Sequence, residues 1–258
     1  MPVLSRIGNK TMRYEEFLRT EMILGDAAME RLRRSHVAVF GLGGVGSYVT
    51  EALCRAGVGE LTLIDGDTVS VSNINRQLYA LHSTIGRPKA EAAADRCRDI
   101  CPDTVVHPIV GIYDAAHRED FFTARYDYIV DAIDLVSCKL DLIQQARQRR
   151  IPILTALGTG NKLHPEQLTI TDISKTSGCP LARVMRRELR AQGIHHLKVV
   201  FSPEQPAETR QLETPPLETP PPGRRSVPAS VSWVPSTAGL LMAGTVVQDL
   251  LHEGGLIP

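Results

Sequence analysis

The sequence predicts a doubly wound α/β fold: a mostly parallel sheet with helices on its faces and an antiparallel extension near the C-terminus. Three observations carry that expectation. Short apolar runs rich in Val, Ile and Leu alternate with longer stretches of helical spacing between residues 37 and 157. A glycine-rich turn, GLGGVG, joins the first apolar run to the helical stretch after it. No periodic repeat of solenoid or coiled-coil type interrupts the alternation. With 258 residues, 43% hydrophobic and 22% charged, the chain can bury one large core, and one domain spanning 1–258 is expected.

Each element follows from local pattern. The opening stretch YEEFLRTEMILGDAAMERLRR has apolar residues near helical spacing and predicts one or two helices ahead of the sheet. VAVF (37 to 40) predicts a buried strand, GLGGVGSYVTEALCRAG a helix ended by Gly57, and LTLID a second strand. After Pro88 come helix KAEAAADRCRDI, strand TVVHPIV, a helix around AHREDFF, and strand YDYIVDAID. Helix SCKLDLIQQARQRR and strand IPILTAL complete the regular part. From residue 158 the texture changes to a loop, then strand QLTITDIS, helix PLARVMRRELRAQG and strand LKVVF. Residues 202 to 230 hold eight prolines and few large apolar groups, which predicts a mobile loop rather than packed structure. Ser232 to Pro235 read as extended, with Ser236 or Thr237 capping a last apolar helix that ends near His252.

Composition excludes several classes. The formal net charge is zero, so any nucleic-acid contact must come from a local patch. Five scattered cysteines suit a reducing compartment better than a disulfide framework, and Cys97 and Cys101 alone do not make a zinc set. The first thirty residues lack the apolar core of a signal peptide, and no run approaches the roughly eighteen apolar residues of a membrane span, so a cytoplasmic protein is expected.

Gly41, Gly43 and Gly46 form GxGxxG between strand and helix, the context in which such a turn binds phosphate with helix N-terminal amides. Asp65 ends the second strand about twenty residues on, where an acid accepts hydrogen bonds from ribose hydroxyls. A Gly-rich turn with a capping acid would satisfy the same pattern, and on these features alone an NAD-binding oxidoreductase is a reasonable alternative. Arg76, in DTVSVSNINRQ, and Lys89, behind Pro88, add cations at successive loops on one sheet edge. Asp134 adds a carboxylate able to hold a metal there. Fixed cations and a metal answer the needs of an enzyme that breaks a triphosphate, because charge builds on the departing pyrophosphate.

The series GLGGVGS, LTLIDGDTVSVSNINRQL, IGRPKAE and DAID resembles the ThiF/MoeB/HesA superfamily, related to ubiquitin-activating enzymes, which adenylate carboxylates with ATP. The resemblance implies a Rossmann-like fold, ATP and Mg²⁺ as cofactors, and a nucleotide site made of Gly41, Gly43, Gly44, Gly46, Asp65, Asp67, Asn73, Arg76, Gln77 and Lys89, with Asp134 as the Mg²⁺ ligand. It further implies a homodimer in which Arg19 reaches the neighbouring subunit's site, with Arg13 as a competitor for that role. The catalytic set is then Arg76, Lys89, Asp134 and Arg19.

Superfamily members that charge a sulfur-carrier protein commonly hold zinc on two CxxC pairs, which this chain lacks. AEALCRAGVG, NINRQLYAL, DYIVDAID, KTSGCPLARVMRREL and SWVPSTAGLLMAG instead resemble the tRNA threonylcarbamoyladenosine dehydratases. That resemblance implies ATP-driven cyclisation of the threonylcarbamoyl group on an anticodon-loop adenosine. Activation of a ubiquitin-like sulfur carrier is the alternative, with a sulfur-transfer partner left open. Cys179, followed by Pro180 at a helix start, offers a thiol that helix amides can stabilise, although a semi-buried structural cysteine is the preferred reading. Arg183, Arg186, Arg187 and Arg190, at helical spacing, make a candidate tRNA patch or an ordinary solvated face. Lys198, Arg224 and Arg225 can extend the patch.

Overall fold

A computed structural model describes residues 15–210 and 228–257. Two short helices, α1 (Leu18–Leu24) and α2 (Asp26–Arg33), precede β1 (His36–Phe40). Then come α3 (Gly46–Arg55), β2 (Glu60–Asp65), α4 (Lys89–Ile100), β3 (Val105–Val110), β4 (Tyr128–Asp131), α5 (Val136–Arg149) and β5 (Ile153–Ala156). The C-terminal part adds β6 (Thr169–Asp172), α6 (Pro180–Ala191), β7 (Lys198–Phe201) and α7 (Trp233–Glu253).

The seven strands lie in the order β3-β2-β1-β4-β5-β7-β6, all parallel except β6, which runs antiparallel to β7 at the edge. Strand order reverses between β1 and β4, so the crevice for a ligand lies beyond the carboxyl ends of these two strands. Side chains alternate across the sheet as a period of two requires. Val37, Val39, Leu61, Leu63 and Val130 join one core with α2, α3, α4 and α7. Ala38, Phe40, Ile64 and Ile129 face the other way, into a second core with α5 and the aromatic residues Tyr113, Phe121 and Tyr126. A third cluster seats α6 on β7 through Ala182, Met185, Leu189 and Val199.

Four expectations need correction. The segment AHREDFF forms only a short 3-10 turn, Arg118–Phe121, because Phe121 is pulled into the aromatic cluster beside Phe40 and Tyr113. β4 stops at Asp131, three residues before Asp134, since Asp131 turns its carboxylate back to the Ile133 amide and to Lys139. The last helix begins at Trp233, with Pro235 inside its first turn, where a missing N–H costs nothing. Ser236 and Thr237 therefore sit within the helix and donate to the Trp233 carbonyl instead of capping.

Finally, α7 has the length and mean hydropathy, 21 residues and 1.2, of a spanning segment, and half of that stretch is buried within the fold. Its apolarity is accounted for by packing: Val234, Ala238, Met242, Val246 and Leu250 are fully buried in the core shared with α3. The proline-rich region is described only at its ends. Asn161 binds both ends, receiving the Ala207 amide on its carbonyl and the Ala229 amide on its side chain, and Lys162 donates to the Ser202 and Glu204 carbonyls. Residues 211–227, with Arg224 and Arg225, lie outside the described residues, as does Arg13.

Candidate active site

The glycine turn follows β1 directly and opens α3. Gly41 has φ +88, and a Cβ there would lie 2.6 Å from the Ala132 carbonyl oxygen, so both conformation and space demand glycine. A Cβ on Gly46 would fall 1.8 Å from the Gly41 oxygen, which lets helix and strand meet only if residue 46 has no side chain. Gly43 differs: the nearest atom to its missing Cβ is Gln77 Nε2 at 3.8 Å, so its surface is open to a ligand. Above Gly44 sit Pro235, at the start of α7, and the Arg76 side chain. Residues far apart in the chain thus converge on one loop.

Asp65 ends β2 beside this turn. Its Oδ2 accepts the Leu42 amide at 2.7 Å and its Oδ1 the Asp67 amide at 2.8 Å. Each oxygen keeps a lone pair for another donor, as a ribose hydroxyl would be. Burial pushes the Asp65 carboxyl above the ordinary aspartate value, against the opposing influence of Lys89 and the two amides.

The stretch after Asp65 folds back on itself. A capping box between Ser70 and Asn73 shapes a single 3-10 turn and buries Asn73. Arg76 then donates to the Ser72 carbonyl and to Asn75 Oδ1, both at 2.9 Å, with Gln77 buried next to it. Lys89, the first residue of α4, donates to Asp67 Oδ2 at 2.7 Å. The Thr68 to Pro88 bridge ties the two loops together. Gly41, Gly43, Gly44, Gly46, Asp65, Asp67, Asn73, Arg76, Gln77 and Lys89 therefore share the carboxyl edge of β1 and β2.

Asp134 lies in the turn from β4 to α5, across the strand-order reversal from the glycine loop. What holds that turn leaves no motif in the sequence. Asp131 and Lys139 form a fully buried ion pair at 2.9 Å beneath it. Both are visible in DAIDLVSCK, but their eight-residue separation matches no motif; only the strand-to-helix reversal brings them together.

The remaining candidates lie elsewhere. Arg19 is exposed on α1, and Phe17, two residues earlier, packs against Gly57 at the far end of α3 from the glycine loop. About 15 Å of helix separates the two places, so Arg19 is not brought to this chain's own site. Cys179 is buried at the start of α6, beside Gly158. Near it, burial pulls the Lys162 amine below the ordinary lysine value, with Cys179 and Glu204 opposing. On α6, Arg183, Arg187 and Arg190 are exposed, whereas Arg186 is half-buried and donates to the Thr176 carbonyl and hydroxyl. Arg187 pairs with Glu188, so the four arginines are not equally available as a patch.

A strand, a glycine turn, an acid and two cations on one edge make a candidate nucleotide site, and the ThiF family model matches residues 14–255. The chain belongs to the ThiF family. Within it, the sequence is 41% identical over 242 residues to a tRNA threonylcarbamoyladenosine dehydratase of Bacillus subtilis, covering 92% of this chain and 95% of that protein. It is 38% identical over 177 residues to the Escherichia coli protein of the same name, 69% of this chain and 66% of that one. The crystal structure of the E. coli dehydratase TcdA in complex with ATP superimposes with a TM-score of 0.82 at 31% identity, covering 93% of this chain and 96% of that chain. A ThiF relative of another kind, the molybdopterin-synthase adenylyltransferase of E. coli, is 36% identical over 126 residues, 49% of this chain.

Proposed function

We propose that this ThiF-family chain is an ATP-dependent tRNA threonylcarbamoyladenosine dehydratase, which closes the threonylcarbamoyl group of an anticodon-loop adenosine into a ring. One observation carries the reading. Likeness to a dehydratase extends over 92% of the chain, whereas likeness to the molybdopterin-synthase adenylyltransferase covers 49%.

The chemistry that the residues serve is carboxylate activation. The side-chain carboxylate of the modified adenosine attacks the α-phosphorus of ATP, and pyrophosphate departs. A nitrogen of the same group then attacks the acyl carbon, AMP departs, and the base has formally lost water. Attack within one group needs held geometry rather than a protein nucleophile. Asp65 accepts the ribose hydroxyls, and the amides of residues 41 to 46 meet the phosphates. Gln77 and Asn73 line the same wall. Arg76 and Lys89 neutralise the departing pyrophosphate, Lys89 by exchanging Asp67 for a phosphate oxygen.

Mg²⁺ fits Asp134. One carboxylate with substrate phosphates is an ordinary Mg²⁺ set, and Asp134 follows β4 at the carboxyl edge where the triphosphate would lie. When bound, the ion would supply further neutralisation of the triphosphate. A homodimer is supported by α1, which exposes Met22 and Ile23 almost completely next to Arg19; Arg19 would then complete the neighbouring subunit's site. Arg183, Arg187 and Arg190 are the proposed tRNA contacts.

The test is mass spectrometry of nucleosides from threonylcarbamoylated tRNA incubated with enzyme, ATP and Mg²⁺. Loss of one water from the modified nucleoside is expected. An unchanged nucleoside in a preparation that binds ATP overturns the proposal. Pyrophosphate exchange that requires a carrier protein ending in Gly-Gly and ignores tRNA would favour sulfur-carrier activation instead.

A further inference from the structure

The opposite edge of the sheet carries a second constellation that nucleotide chemistry does not use. His36 opens β1 and its register partner is Glu60, which opens β2. His107 in β3 is the register partner of Thr62, two residues along from Glu60. Because side chains alternate, His36, Glu60, Thr62 and His107 all project from one face, that of Ala38 and Ile64. The ligand atoms of His36, Glu60 and His107 lie within 4.8 Å of one another. Glu60 Oε1 stands between the rings, 2.8 Å from His107 Nε2 and 3.5 Å from His36 Nδ1.

We infer that His36, Glu60 and His107 form a binding site for a divalent transition metal, Zn²⁺ foremost, with three protein ligands and a solvent-facing fourth position. Two imidazoles and one carboxylate are a ligand set that Zn²⁺ accepts, and zinc bonds of about 2.0–2.1 Å in a tetrahedron put neighbouring ligand atoms roughly 3.3 Å apart. The two measured separations bracket that value, so small side-chain movements complete the set. Outer contacts already orient the ring that matters. His36 Nε2 is 2.8 Å from the Thr62 hydroxyl, and an Nε2–H donated there leaves the Nδ1 lone pair toward Glu60. Tyr126 stands perpendicular to the same ring at 4.9 Å between centroids. His36 is buried, whereas the Glu60 and His107 side chains are 39% and 48% exposed, which gives an ion its path and a water its place. All five cysteines are buried and uncrosslinked, and Cys54 beside Cys97 makes only two thiols, so they do not compete as a preformed zinc set.

The full chain, stripped of metal by chelator and dialysed, is titrated with Zn²⁺ by calorimetry and, separately, with Co²⁺ by visible spectroscopy. One equivalent of Zn²⁺ per chain is expected, with weak Co²⁺ absorption in the visible and no sulfur charge-transfer band in the near ultraviolet. His107→Ala, at a half-exposed position, should abolish stoichiometric binding while ATP binding stays unchanged. Thr62→Val should retain the ligands but weaken binding roughly ten- to hundredfold. Absence of binding by the stripped wild-type chain, equal binding by His107→Ala, or a sulfur charge-transfer band would each overturn the inference.

Discussion

Lys89 and Asp67 hold each other across the mouth of the proposed nucleotide site, Nζ to Oδ2 at 2.7 Å, yet their exposures differ widely: 7% for the lysine side chain and 68% for the aspartate. The lysine is fixed by its surroundings and the aspartate is the replaceable partner. Asp67→Asn should therefore fold normally and change turnover little, whereas Lys89→Ala should lower turnover about 10²- to 10³-fold, the scale of one lost charge-stabilising donor. Nucleoside mass spectrometry under saturating ATP measures both, and equal losses would contradict the asymmetry.

Arg76 is half-buried and held by two hydrogen bonds to its own turn. Its removal leaves no buried group unpaired. Arg76→Ala should keep the wild-type thermal midpoint within a degree or two while turnover falls roughly 10³-fold. A large drop in midpoint would make the arginine a structural residue instead.

Two glycines of the turn, Gly43 and Gly46, should separate under substitution. Gly46→Ala places a methyl group on the Gly41 oxygen and should destabilise by about 3 kcal/mol or more, read as a shift in urea midpoint. Gly43→Ala meets nothing closer than 3.8 Å in the protein and should leave that midpoint in place while weakening ATP binding. If Gly43→Ala bound ATP normally, the phosphates would have to lie elsewhere.

Lys139→Met strands Asp131, fully buried, without a counter-charge. A loss of about 3–5 kcal/mol is expected in chemical denaturation, and the double variant Asp131→Leu with Lys139→Met should recover much of it. An additive double variant would show that the pair does not act as a unit.

Asp65 titrates above the ordinary aspartate value because it is buried. In the proposed role its charged form accepts ribose hydroxyls, so adenosine affinity should fall as pH drops through that raised value, earlier than an ordinary aspartate would dictate. Adenosine is the probe because it has no phosphate to titrate. The stability linkage has the opposite sense: with the folded value above the unfolded one, this group's contribution is full below the unfolded value and is lost as pH rises through the folded value. Binding should thus weaken in acid without Asp65 itself destabilising the fold there.

Local signals made much of this legible. α4 begins and ends where KAEAAADRCRDI does, because Pro88 sets its entry and helix-forming residues fill its length. The glycine turn and Asp65 were readable because strand, turn and helix are contiguous. Where tertiary contacts decided, sequence fell short. Asp131 ends β4 early by turning to Lys139, and Phe121 gives up helix for the aromatic cluster. The His36, Glu60 and His107 grouping was invisible, since it spans three strands and depends on register alone. Arg186 was indistinguishable from its neighbours on α6 until Thr176 claimed it.

The pairing of α3 with α7 joins residues about 180 positions apart, and it carries a consequence in time. At some 5–20 residues per second of synthesis, the ribosome delivers α7 roughly ten to forty seconds after α3. Throughout that interval the sheet face bearing Val39, Leu63 and Val130 lacks its last covering helix. The nascent chain therefore carries an uncovered apolar face until α7 arrives, and the same helix brings Pro235 against Gly44, so core closure and completion of the glycine loop coincide.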